Sequence, residues 1–145
     1  MTDALIDMAA TSLPLEDTQD IDADLRHFAR LLVQWLNEPT GQAALAILWS
    51  DAGRLPQVTQ AKHRLFADRF SRAEPLVHAA IARGQLPVGT DPAELIKAVI
   101  APIYLRLLVT AEAVTPAVAD TAVRIALNAA RAGLLPSGDD DPAMT

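Results

Sequence analysis

The residues of this chain with chemistry to offer are few, and most are aromatic. Phe28, Trp35, Trp49, Phe66, Phe70 and Tyr104 all fall on the inward sides of predicted helices. They come from four different helices, and Gln34, Arg69 and Arg106 lie close to the same faces. Apolar walls with sparse, convergent polar groups characterise a small-ligand pocket. The same rings equally build a plain core, which is the ordinary fate of buried aromatics. The pocket reading assigns contact with a small, mostly apolar ligand to Phe28, Gln34, Trp35, Trp49, Phe66, Arg69, Phe70 and Tyr104.

Catalytic patterns do not accompany that set. The absence of cysteine removes disulfides, thiol catalysis and thiolate metal sites together. His27, His63 and His78 form no H-E-x-x-H, and no helix pairs two of them at i, i+4. His63 stands between Lys62 and Arg64 on a solvated face, while His27 and His78 suit surface or core roles better than a cavity edge. No G-x-S-x-G, P-loop or dinucleotide turn occurs, and the six glycines sit at helix ends and turns. The acids gather in linkers and caps, where solvation explains them. No enzyme activity, cofactor or metal is expected.

Proline and glycine mark out the elements that must position the aromatic set. A short helix is predicted over 3–12, then an acidic linker over 14–21. Leu25, Phe28, Leu32, Trp35 and Leu36 recur at helical spacing over 22–37. Thr40 can cap a third helix ending near Gly53, with Trp49 on its apolar stripe. A long helix follows over 57–83, in which Pro75 predicts a kink or break because its ring opposes the Ser71 carbonyl. Gly84 suits a C-terminal cap. Asp91-Pro92-Ala93-Glu94 reads as cap, first turn and capping box for a helix over 92–111. Thr115-Pro116 opens the last helix, which Gly133 ends.

Composition agrees with an all-α chain. In 145 residues there are 28 Ala and 20 Leu, with only 4% aromatics, which favours close-packed helices over strands. The expected architecture is a single antiparallel helical bundle of about six helices. Acids exceed bases by 18 to 12, but the excess is terminal. Residues 1–24 carry seven acids and no base, Asp139 to Asp141 add three, and the body is near +4. So small a surplus lacks the basic stripe that nucleic acid requires, so this chain alone is expected to bind none. The N-terminus shows no signal-peptide pattern. The most apolar run, Leu95 to Val109, is shorter than the roughly 20 residues of a membrane span. A cytoplasmic location is expected.

The helices over 92–111 and 116–131 are apolar nearly all round and need cover on every side. A second copy of the same pair supplies it through a two-fold four-helix contact. Val99, Pro102, Arg106, Ile125, Asn128 and Ala129 are expected near the axis, with Arg106 reaching an acid or carbonyl of the partner. The competing reading buries the 92–111 helix inside one protomer.

Three stretches carry a family resemblance. Ala79-Ala80-Ile81-Ala82-Arg83-Gly84-Gln85-Leu86, then Asp91-Pro92, then Ile103-Tyr104-Leu105-Arg106-Leu107-Leu108-Val109-Thr110 are similar to the C-terminal domain of tetracycline-repressor (TetR) family regulators. Ala4-Leu5-Ile6-Asp7 and Asp24-Leu25-Arg26 look like the helix leaving a DNA-binding head and the helix after it. The resemblance spans about 3–135. It implies one effector-binding and dimerisation domain over 1–135, with 1–13 a remnant of the linker helix; the polar, acidic composition of 136–145 reads as a disordered tail. The resemblance also implies a homodimer, a small-molecule effector and, in a longer parent, operator DNA. The family's helix-turn-helix head has no room before Leu5. The rival reading is a headless helical protein–protein interaction module with a plain core.

Overall fold

The computed structural model describes residues 14–50 and 54–138. Its regular elements are helical: α1 (Ile21–Asn37), α2 (Pro39–Leu48), α3 (Pro56–Ala82), α4 (Pro92–Tyr104) and α5 (Pro116–Arg131), with a π-helical turn, Leu105–Val109, continuing α4. The helix expected over 3–12 lies outside the described residues.

α1 is the spine of the bundle. Asp20 caps it by accepting the Asp22 and Ala23 amides at 3.1 and 3.2 Å, and Asp22 and Asp24 place negative charge on its first turn. Its buried face is Ile21, Leu25, Phe28, Ala29, Leu32, Val33 and Leu36, the three- and four-residue spacing of the sequence. α5 packs against α1 and α4, α3 packs against α4, and α2 folds back on α1. The α1–α2 corner is tight because Gly41 approaches the Trp35 carbonyl so closely that a Cβ there would lie 1.9 Å from its oxygen. Only glycine fits.

The acidic segment before α1 is fastened rather than loose. Asp24, itself buried, accepts the Thr18 amide at 2.9 Å and its hydroxyl at 2.5 Å. Gln85, just beyond α3, accepts the Ile21 amide at 3.2 Å and donates to the Gln19 carbonyl at 2.8 Å. Gly84 makes this possible. Its φ of +78° turns the chain out of α3 while the Gln85 amide still bonds the Ala80 carbonyl at 2.9 Å.

Several boundaries depart from the sequence reading. α2 begins at Pro39 rather than after a Thr40 cap, since proline at the first position lacks only an amide that has no helical partner. α3 runs through Pro75 as one helix; Ser71 and Pro75 both face solvent, where water satisfies the freed carbonyl. Asp91 caps α4 as expected, through the Ala93 and Glu94 amides at 2.8 and 3.3 Å, but Glu94 turns to Lys97 at 3.0 Å instead of closing a box. Residues 136–138 are not a loose tail. Leu135 accepts the Asp91 amide at 2.9 Å, and the Ser137 amide bonds the Gly89 carbonyl at 3.0 Å.

The largest departure lies at the end of α4. One α-helix was expected as far as Ala111, but the α-pattern stops at Tyr104 and five residues wind as a π-turn. The Thr110 amide reaches back five residues to the Leu105 carbonyl at 3.0 Å. Pro102 precedes the turn and supplies no amide, which weakens the α-ladder there. The Arg106 guanidinium donates to the Pro102 carbonyl at 3.2 Å.

Candidate ligand-binding site

Three helices bring aromatic groups to one seam, and a fourth brings an arginine. Trp49, at the end of α2, stacks on Tyr104, at the end of α4, with ring centres 5.7 Å apart and planes inclined by 28°. Tyr104 lies within the field of Arg69 on α3. The Arg69 guanidinium in turn sits 5.4 Å from the centre of the Phe28 ring on α1. Trp35, one turn from the end of α1, packs against both the main core and a smaller cluster of Leu48, Val58 and Leu65. Trp35 therefore stands where the two clusters meet.

Polar groups in this seam are under-satisfied. The Trp35 indole Nε1 is buried and finds no hydrogen-bond partner among the described residues. Arg69 is only 8% exposed, and its guanidinium lies against the face of Phe28. Its neighbour Asp68 is engaged elsewhere, with Arg72 at 3.0 Å. Burial pushes the Arg69 pKa down, while Tyr104 and Asp68 hold it up. The guanidinium still carries its charge at any working pH. Burial likewise pushes the Tyr104 hydroxyl up against the opposing pull of Arg69, so it remains a neutral donor.

Other members of the sequence-derived set fall differently. Phe66 and Phe70 form a tilted pair, 6.2 Å between centres, on the flank of α3 where Lys97 covers Phe70 at 5.6 Å. Trp49 is 40% exposed and carries Lys62 over its ring at 5.0 Å, which places it at the rim of the seam. Gln34 does not join the site. It is exposed, and its amide donates to Glu38 at 3.4 Å, because its position on α1 points away from α2 and α3. Lys62 was missed as a site neighbour, since its sequence context reads as a solvated face.

A groove of about 370 Å³ lies elsewhere, beside α1 and α5, lined by Asp22, Arg26, Asp120, Arg124, Arg131 and their neighbours. Paired acids and arginines fill its edges: Arg131 with Asp22 at 2.8 Å and Arg30 with Asp120 at 2.6 Å.

The residues expected at a two-fold axis divide in two. Val99 is a correction: it is 0% exposed, enclosed by its own protomer together with Leu95, Ile96 and Ile103, and so has nothing to offer a second copy. α4 is covered by α3 and α5 over this half. Ile125 is 62% exposed, Asn128 is exposed, and Pro102, Arg106 and Ala129 are half-buried. Leu105, Leu108 and Val109 of the π-turn are exposed as well. Arg106 spends a donor on its own chain, at Pro102.

Comparison with known proteins decides the family. Residues 15–126 match the family described as "Tetracyclin repressor-like, C-terminal domain". This chain belongs to that family. A relative described as "HTH-type transcriptional regulator AqdR" from Rhodococcus erythropolis is 26% identical over 91 residues, covering 63% of this chain and 44% of that protein. The chain thus spans less than half the length of that regulator. The crystal structure of the TetR family transcription regulator SCO0332 superposes with a TM-score of 0.77 at 25% identity, over 88% of this chain and 70% of that one. The TetR-like fold accounts for the helix order seen here. No helix among the described residues is long and apolar enough to cross a membrane.

Proposed function

We propose that this chain is the effector-sensing and dimerisation unit of a TetR-family transcriptional regulator. The observation that carries the reading is the buried Trp35 Nε1, without a partner among the described residues, together with a seam of aromatic rings drawn from three helices and the Arg69 guanidinium from a fourth. A finished core satisfies its buried donors, and a donor held ready among apolar walls suits a small ligand. Phe28, Trp35, Trp49, Arg69 and Tyr104 contact the ligand, with Phe66 and Phe70 behind them. A second copy covers the exposed apolar face of Ile125, Leu105, Leu108 and Val109. In a longer chain with a DNA-binding head, the ligand shifts the equilibrium between two head spacings, which requires that it prefer one of them.

Thermal melts against a library of small aromatic compounds test this. Ligands are expected to raise the melting temperature with the logarithm of their concentration above Kd, and to be bound without turnover. Trp35 and Trp49 are the only tryptophans and both belong to the site, so intrinsic fluorescence reports binding directly. A protein–protein interaction module with a plain core gives no ligand-dependent shift in either measurement.

A further inference from the structure

An apolar ligand leaves the Arg69 guanidinium without an ion-pair partner among the described residues. Arg69 is 8% exposed as a residue, its guanidinium lies 5.4 Å from the centre of the Phe28 ring, and the adjacent carboxylate of Asp68 is bonded to Arg72. A buried charge without a partner is costly, and native chains keep one where something else supplies the opposite sign. The surroundings also lean positive. Lys62 lies over Trp49 on the exposed side of the seam, and the acid at the other flank, Glu94, is taken by Lys97.

Geometry narrows the class of anion. A guanidinium fork matches two carboxylate oxygens in one plane. Trp35 Nε1 is an additional buried donor without a partner among the described residues. A phosphate dianion calls for more than one buried cation, and Arg69 is the only buried basic residue among those described. The stacked Trp49–Tyr104 pair and the Phe28 ring favour a flat, aromatic body. We propose that the effector is a planar aromatic carboxylate, its charged group held by Arg69 and its ring placed among Phe28, Trp49 and Tyr104. This rests on the ligand-sensing reading above and specifies its chemistry.

Isothermal titration of the whole chain with 1-naphthoate and with its neutral counterpart 1-naphthalenemethanol tests the assignment. Wild-type protein is expected to bind the carboxylate at least tenfold more tightly. Arg69→Met is expected to abolish that preference while keeping affinity for the alcohol, and Arg69→Lys to keep part of it. Equal or tighter binding of the alcohol by wild type overturns the carboxylate and leaves ligand sensing standing. Preference for the carboxylate that persists in Arg69→Met overturns the role of Arg69. Failure of both compounds to bind overturns the carboxylate and ligand sensing together. If Arg69→Met does not fold, the wild-type ratio and the Arg69→Lys ratio decide.

Discussion

Arg131 holds Asp22 through two hydrogen bonds, 3.3 and 2.8 Å long, across 109 residues of chain. The pair ties the end of α5 to the start of α1, and Arg131 also donates to the Gln85 carbonyl at 3.3 Å. Its bond lowers the Asp22 pKa; burial opposes this by less, and the Arg131 and Arg26 charges reinforce it. A lowered carboxylate contributes stability that is fully present above its unfolded value, near 4, and is lost as pH falls through the folded one. Both side chains are substantially exposed, so the contribution is about 0.5 kcal/mol. Urea unfolding of Arg131→Gln is expected to show that deficit at pH 7, and the deficit is expected to vanish below the folded-state value of Asp22.

Arg69→Met is expected to stabilise the ligand-free protein. It removes a buried cation with no carboxylate partner among the described residues and keeps an unbranched apolar stem of similar reach. A gain of about 1–3 kcal/mol follows from the desolvation cost removed. A lower urea midpoint for this variant than for wild type contradicts the account of Arg69 as a strained, waiting charge.

Gly41→Ala is expected to be among the most damaging single substitutions. The new Cβ meets the Trp35 carbonyl oxygen at 1.9 Å and its carbon at 2.7 Å. These are backbone atoms, so the α1–α2 corner must open, at a cost of roughly 3 kcal/mol or more. Thermal unfolding measures it, and tryptophan fluorescence is expected to change with it because Trp35 forms the other side of the corner.

Ile125→Asp is expected to dissociate the dimer while leaving each protomer folded. The side chain is exposed in the single chain, so the charge costs the protomer little. At a two-fold contact two such charges face apolar surface, and the expected loss of association is at least about 100-fold, or roughly 3 kcal/mol. Sedimentation at tens of micromolar reads the outcome. A wild-type chain that already runs as a monomer removes the basis for the interface.

The fold was largely legible because its signals are local. Asp91 announces a helix start, Gly84 announces a stop, and the α1 stripe from Leu25 to Leu36 is periodic in the sequence itself, while the Asp20 cap sits in what reads as linker. Orientation was less legible. An apolar-all-round helix says that α4 is covered but not by what, and α3 and α5 of the same chain claim Val99 and Ile103. Within the site, residue type alone found Arg69 and the rings. That Asp68 belongs to Arg72, or that Trp35 Nε1 lacks an acceptor, depends on rotation about α3 and α1. Gln34 was misplaced for the same reason, being one residue from Trp35 and about 100° around the helix.

The π-turn bears on how this fold can change by inheritance. Such a turn holds about one residue more than an α-helix of the same rise. It buries none of its side chains fully, and it is bounded by the packed Ile103 on one side and by Val114 on the other, whose carbonyl takes a 3.1 Å bond from Asn37. Loss of a single codon between Leu105 and Val109 would convert it into ordinary α-helix and rotate the outward residues by about 100°, with the interior of the bundle untouched. One deletion there redraws the surface offered to a second copy, so related chains can diverge in whom they pair with while sharing the same core.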